Sequence, residues 1–179
     1  MDLILVRYGE MTLKKKNYRQ FLQRINENIK RKCKHLKRLK FFNTDYRFYI
    51  YLNGEDYTKV LEELNTVVGL YSYSLCKKVK VENKENVIED IANTALDIIN
   101  SSRPANDFTF KVDTHRGDKS FPLTSIQISQ QVARIVLPKI NGMTVDVHNP
   151  NLTLNIDFRS EGIYVYTNSI KGLGGYPSG

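Results

Sequence analysis

The order of apolar patterns in the first 81 residues constrains the fold more than any other feature of the sequence. Short runs rich in β-branched and aromatic residues predict strands, and apolar residues spaced three and four apart predict helices. Strand patterns occupy residues 3–6, 40–42, 47–52 and 71–81, and helix patterns occupy residues 17–36 and 57–68. The predicted order is therefore strand, helix, strand, strand, helix, strand, which few sheet topologies can accommodate.

This βαββαβ order is typical of the ferredoxin-like fold. After the short polar segment Glu82–Asn86, the pattern changes to a helix, a strand, a second helix and a β-hairpin, which indicates a separate α/β domain. We therefore predict an α+β chain with a ferredoxin-like domain over residues 1–81 and an α/β domain over residues 82–170. The glycine-rich residues 171–179 are predicted to be a linker that leads into a further domain.

A cationic loop lies between the strand and the second helix of the α/β domain, within Lys111–Thr124. Thr124 followed by Gln127 has the spacing of a capping box, which fixes the start of a helix. N–H groups at a helix start, with cations just before them, suit a phosphate or another anion. A solvated surface loop is an equally acceptable interpretation of these residues. The loop residues that could contact a ligand are His115, Arg116, Lys119, Ser120 and Phe121.

The net charge of +8 is concentrated in the first quarter of the chain. Residues 1–40 contain 13 Lys and Arg against 3 Asp and Glu, whereas residues 41–179 contain 14 against 16. Many of these cations lie on the polar face of the predicted helix over residues 17–36. Such a face favours a polyanionic partner such as RNA, with a solvated face and an interfacial membrane helix as alternatives. Lipid is the weakest of the three, because the apolar stripe of this helix is needed to cover a sheet.

Several other classes of protein are disfavoured by the sequence. It contains no apolar run of about 18 residues that could span a membrane, and we expect a cytoplasmic protein that binds no membrane. Cys33 and Cys76 are far apart and the three histidines are scattered, so we expect neither a disulfide framework nor a metal site.

Four segments together resemble one known family, the ThiI-type tRNA 4-thiouridine synthetases, also called tRNA sulfurtransferases. Arg7-Tyr8-Gly9-Glu10 is similar to the opening of the family's N-terminal ferredoxin-like domain. His115–Pro122 and Val145–Pro150 are similar to its THUMP domain, and Gly172–Gly179 resembles the linker into its catalytic domain. The resemblance covers essentially the whole chain and implies that residues 82–170 form a THUMP domain.

The resemblance implies a tRNA-binding region in which the THUMP domain holds the single-stranded 3′ CCA end and the ferredoxin-like domain positions the acceptor region. It implies no catalytic residue here, because the family's Ser-Gly-Gly-x-Asp-Ser pyrophosphatase loop is absent from the sequence. We therefore expect these 179 residues to be inactive alone. For the full-length protein it implies ATP and magnesium in a further catalytic domain, a cysteine desulfurase as sulfur donor, a homodimer, and a link to thiamine biosynthesis.

Residues that carry charge or an aromatic ring at suitable places in the two domains form the predicted RNA-binding set. The members from the second domain are Lys111, His115, Arg116, Lys119, Ser120, Phe121 and Arg134. The members from the first domain are Arg7, Lys14, Lys15, Lys16, Lys30, Arg31 and Lys34.

Two other functions remain open at this point. One is a stand-alone THUMP-type RNA adaptor that serves a separate RNA-modifying subunit. The other is a protein-interaction module whose basic helix is merely solvated. The second alternative predicts no tRNA binding at moderate salt, which distinguishes it from the other hypotheses.

Overall fold

The structure is a computed structural model that describes residues 2–8, 16–44, 47–67, 71–167 and 170–171. The chain forms two compact units, and the division between them falls after Leu75. The first unit contains residues 2–75 together with the short strand of residues 170–171, and the second contains residues 76–168. Among the described residues, no helix has the length and apolar character needed to cross a membrane.

The first unit has the predicted βαββαβ order, which confirms the ferredoxin-like assignment. Its strands lie in the order β2, β3, β1, β4, and β3 is antiparallel to both β1 and β2. Strand β9 (Ile170–Lys171) pairs with β4. The other elements are β1 (Asp2–Tyr8), α1 (Tyr18–Lys32), β2 (Lys40–Asn43), β3 (Arg47–Tyr51), α2 (Tyr57–Leu64) and β4 (Tyr71–Lys78).

The apolar stripe of α1 packs on one face of this sheet. Ile25 and Ile29 are buried together with Ile4 and Phe48 in a single cluster. Each fully buried aliphatic side chain of this kind stabilises the fold by about 1.5–3 kcal/mol relative to an exposed one. Apolar residues that recur three and four positions apart thus favour the helix, and they also fix which of its faces packs on the sheet.

Helix α1 ends at Lys32 rather than continuing through Leu36 as the periodicity predicted. The N–H of Leu36 donates to the carbonyl of Cys33, and the N–H of Leu39 donates to the carbonyl of Leu36, so three-residue turns replace the helix. These turns still bury Cys33, Leu36 and Leu39 in the core. Burial therefore accounts for the apolar spacing here without a continuous helix.

The second unit is a mixed sheet with two helices packed on it. Strand β5 is parallel to both β6 and β7, whereas β7 and β8 form the predicted antiparallel hairpin and residues 76–78 of β4 pair with β8. The strand order within this unit is β4, β8, β7, β5, β6. The elements are α3 (Val87–Ser102), β5 (Phe108–Arg116), α4 (Ser125–Val136), β6 (Met143–Val145), β7 (Leu152–Arg159) and β8 (Gly162–Tyr166).

Parallel pairing of β5 with β7 determines where the cationic loop emerges. Arg116, the last residue of β5, lies opposite Phe158 near the end of β7. Ile128 and Val132 of α4 are fully buried in the same apolar cluster as Phe110 of β5. The loop therefore joins the carboxyl end of one strand to the start of a helix that is anchored on that strand.

Candidate nucleic-acid interface

The backbone of the loop between β5 and α4 is fastened to strand β7. The N–H groups of Gly117 and Asp118 both donate to the carbonyl oxygen of Phe158, over 2.8 and 3.0 Å. Since these bonds join main-chain atoms, they set the direction of the loop whatever side chains it carries. We call residues 115–124 the corner loop from here on.

Arg116 braces the corner loop from within. Its Nη2 atom donates to the carbonyl oxygen of Phe121 over 2.7 Å, and its buried Nε has no hydrogen-bond partner among the residues that the structure describes. The ring of Phe121 packs against that of Phe158, with 5.2 Å between the ring centroids. Arg116 therefore has a structural role as well as a positive charge, and it keeps a donor that the protein leaves unused.

Beyond Arg116, the corner loop exposes two of the predicted ligand-contacting residues to solvent, Lys119 and Ser120. The carboxylate of Asp118 accepts a hydrogen bond from the backbone N–H of Ser120 over 3.0 Å. Hydrogen bonds from the backbone and the side chain of Ser120, followed by the charge of Arg116, lower the pKa of Asp118. The loop thus contains an ionised carboxylate that is engaged in shaping the turn, beside an exposed ammonium group.

Helix α4 begins with the predicted capping box. The N–H of Gln127 donates to Thr124 Oγ1 over 3.2 Å, and the N–H of Thr124 donates to Gln127 Oε1 over 2.9 Å. Ile128 is buried in the apolar cluster of the second unit, and Leu123, just before the cap, packs against that cluster. A further contact ties α4 to β5, because the hydroxyl groups of Thr114 and Ser129 lie 2.8 Å apart. The positive end of the helix dipole is therefore held at the corner loop.

The structure places three other predicted residues of this unit away from that group. His115 is exposed, but it points to the sheet face opposite Arg116, because neighbouring side chains of a strand alternate. Lys111 forms an ion pair with Asp113, with 3.2 Å between Nζ and Oδ2. Lys111 is five residues from Arg116, about 16 Å along a strand, and Arg134 is nine residues from the start of α4, about 14 Å along a helix.

The predicted cations of the first unit lie before α1, on α1 and in the turn that follows it. Lys16, Lys30, Arg31 and Lys34 are exposed, whereas Arg7 is half-buried in β1. The ammonium group of Lys30 lies 5.9 Å from the centroid of the Phe41 ring, so the edge of the sheet supports this side chain. Lys14 and Lys15 lie outside the described residues. Lys30 and Arg31 are exposed on α1, and Lys16 and Lys34 are exposed close to its two ends.

Two residues that shape the corner loop were missed by the sequence reasoning. Phe158 supplies the carbonyl group that anchors the loop and the ring that supports Phe121. Asp118 supplies the carboxylate that turns the chain toward Ser120. An Asp two residues before Ser120 is a recognisable turn signal, whereas Phe158 is remote in sequence and had no local signal.

Neither cysteine belongs to a site. Cys33 and Cys76 are both buried, and neither forms a disulfide. Burial, followed by the negative charge of Glu63, raises the pKa of the Cys33 thiol to about 11. Within the described part of the chain, no group of three or more His, Cys, Asp or Glu residues is arranged to hold a metal ion.

Comparisons with known proteins divide the chain in a similar way. Residues 3–74 match the model of the ThiI ferredoxin-like domain, and residues 85–168 match the model of the THUMP domain. A protein of Acholeplasma laidlawii named "Probable tRNA sulfurtransferase" is 40% identical over 176 residues, which cover 98% of this chain and 41% of that protein. A protein of the same name from Oceanobacillus iheyensis is 39% identical, and this chain covers 43% of its length. The chain thus spans less than half the length of these relatives.

Solved structures show the same fold. A 4-thiouridine synthetase, crystallised as an RNA complex with bound ATP, superposes with a TM-score of 0.80 at 23% identity, covering 100% of this chain and 44% of that one. The protein PH1313 from Pyrococcus horikoshii superposes with a TM-score of 0.74 at 26% identity, covering 100% of this chain and 58% of that one.

Proposed function

Because this chain belongs to the ThiI ferredoxin-like and THUMP domain families, in the order found in the N-terminal part of tRNA sulfurtransferases, we propose that it is the tRNA-binding region of a tRNA 4-thiouridine synthetase. In this proposal the corner loop grips the 3′ CCA end of the tRNA, and the first unit supports the acceptor region. Together they position a uridine for thiolation by a catalytic domain outside these residues.

The observation that carries this proposal is the geometry of the corner loop. Exposed Lys119 and the partly engaged Arg116 offer cations to phosphates at the start of a helix whose dipole is positive there. Phe121 is half-buried rather than enclosed in the core, and in this proposal its ring contacts an unpaired base. Single-stranded RNA ends expose phosphates and base faces together, whereas a duplex hides its base faces.

The basic face of α1 supports a second part of the proposal. Lys30 and Arg31 are exposed on it, Lys34 is exposed in the turn that follows the helix, and no acidic residue lies in the first turn of the helix. A cationic surface of this kind binds phosphates without reading sequence. We propose that it contacts the acceptor stem and that Arg7 and Lys14–Lys16 contribute to the same surface. Lys111, His115 and Arg134 are proposed as outlying contacts.

The decisive experiment compares binding of intact tRNA with binding of tRNA that lacks its terminal CCA, at two salt concentrations. We expect the truncated tRNA to bind more weakly and both affinities to fall as salt rises. Lys119→Ala should reduce the advantage of the intact tRNA. Lys139→Ala serves as the matched control, because Lys139 is an exposed lysine just beyond the far end of α4. Equal affinity for the two RNAs would count against a 3′-end reader.

For the full-length protein we propose ATP with magnesium as cofactors, a cysteine desulfurase as sulfur donor, and a homodimeric assembly. Among the residues that the structure describes, no group of three or more His, Cys, Asp or Glu could hold the metal ion, and we place the magnesium in the catalytic domain. No catalytic step is therefore assigned to any residue of the two units. Their part in the reaction is to bind and orient the RNA.

A further inference from the structure

A cavity of about 610 Å³ opens beside the corner loop, entirely within the second unit. Phe121 and Pro122 of the loop line one side of it, and Val81, Lys84 and Val87 line it from the chain that follows β4. Ile163 of β8 also contributes. This volume falls within the range of roughly 300–1,000 Å³ that is usual for small-molecule sites. The segment between the two domain patterns is therefore part of a cavity wall as well as a connection.

The lining is mostly apolar and remains accessible to solvent. Val87 is 5% exposed and belongs to the core, whereas Val81 is 40% exposed and Phe121 is half-buried. Apolar walls that stay open to water in this way mark a ligand site more often than a packing defect. An occupant should have a flat or compact apolar body.

Charged groups at the cavity favour an occupant that is also anionic. Lys84 and Lys78 line it, and exposed Lys119 lies between two lining residues of the loop, Asp118 and Ser120. Of the two acidic lining residues, Asp118 is engaged with the backbone of Ser120, and Glu85 is exposed. A nucleotide combines the required features, because its base has an apolar face and its phosphate is negative.

We propose that this cavity receives one unpaired nucleobase of the bound RNA, with the adjoining phosphates flanked by Lys84 and Lys119. The inference rests on the proposed function and extends it to residues that no predicted site contained. In this arrangement the base lies between Phe121 and Val81. The cavity therefore selects a single-stranded end over a duplex, because a paired base cannot enter it.

The test uses the whole 179-residue chain and RNA hairpins with a short single-stranded 3′ overhang. A blunt hairpin and hairpins in which each overhang nucleotide in turn is abasic complete the set. Val81→Trp fills the cavity from a partly exposed position. Val147→Trp is the matched control, because Val147 is 59% exposed and follows β6, which pairs with the opposite end of β5. Thermal melting checks that both variants fold.

We expect the wild-type chain to bind the intact overhang more tightly than the blunt hairpin. One abasic substitution should weaken binding by about 5-fold to 150-fold, the range for losing one stacked base. Val81→Trp should bind the intact overhang as weakly as wild type binds that abasic RNA, while Val147→Trp should behave as wild type. Lys84→Glu should weaken overhang binding more than Lys139→Glu does, and it provides a second probe that leaves the apolar walls intact.

Two different failures can be separated. If the wild-type chain prefers the overhang but binds every abasic RNA equally well, or if Val81→Trp binds as wild type, the cavity does not hold a base and only this inference is overturned. The cavity would then be open to an apolar peptide side chain instead. If the wild-type chain shows no preference for the overhang over the blunt hairpin, the proposed function and this inference are both wrong.

Discussion

Replacing Arg116 with Ala should loosen the corner loop as well as weaken RNA binding. The bond from its Nη2 atom to the Phe121 carbonyl is 2.7 Å long, and hydrogen bonds from charged donors contribute about 1.5–3 kcal/mol. Arg116 is half-buried, so water can replace part of the lost bond. We therefore expect a loss of about 1–2 kcal/mol in the local stability of the loop, which is a factor of about 5–30 in its opening equilibrium.

Hydrogen exchange followed by mass spectrometry measures this opening directly. The amides of Gly117 and Asp118 report on it, because both donate to the Phe158 carbonyl in the closed loop. We expect their exchange in Arg116→Ala to be faster by the same factor, and binding to intact tRNA to weaken more than in Lys16→Ala. Arg116→Lys keeps the charge but presents a single ammonium group instead of a planar fork, so exchange should stay fast.

Either of two results would refute this reasoning. Unchanged exchange in Arg116→Ala would mean that the bond to Phe121 does not hold the loop closed. Fast exchange together with wild-type binding in Arg116→Lys would mean that charge alone is sufficient for recognition. The brace would then have no part in recognition.

Three further predictions concern stability. Thr124→Ala removes the helix cap and should lower the free energy of unfolding by about 1 kcal/mol in urea titrations, whereas Thr124→Ser should not. Burial raises the pKa of Tyr8 to about 12, although its hydrogen bond to Asn26 acts in the opposite direction. The neutral phenol therefore stabilises the fold below pH 10, and that contribution is lost as the pH rises toward 12. Urea titrations should show this alkaline loss of stability in the wild type and less of it in Tyr8→Phe. Gly142→Ala, at a φ of +79° and with a new Cβ 2.5 Å from Asp107 Oδ1, should lower the melting temperature, and an unchanged value would contradict the strain argument.

Local chemistry is what the sequence predicted best. The capping box of Thr124 and Gln127 depends on residues three positions apart, and the structure reproduces both of its hydrogen bonds. The sequence also predicted the βαββαβ order, because apolar residues recur with different periods in strands and in helices. The sequence did not predict where α1 ends, because Cys33 and Leu36 keep the apolar spacing of a helix although they lie in turns.

Contacts between distant segments could not be predicted. Arg116 was selected for its charge, but the sequence gives no sign that its guanidinium group reaches the carbonyl of Phe121. Lys111 was selected on the same ground, and the alternation of strand residues places Asp113 on its own face, where the two form an ion pair. Whether a charge is available to a partner depends on neighbours that only the folded chain brings together.

The main-chain bonds from Gly117 and Asp118 to Phe158 also bear on how this loop can change over generations. A scaffold held by backbone atoms tolerates new side chains at its tip, because substitution there leaves both main-chain bonds to Phe158 in place. Residues 119 and 120 should therefore accept broad randomisation in a selection experiment, with the turn preserved. Substitutions at residues 119 and 120 can thus change which RNA ends the loop contacts, while the bonds to Phe158 of β7 keep its path the same.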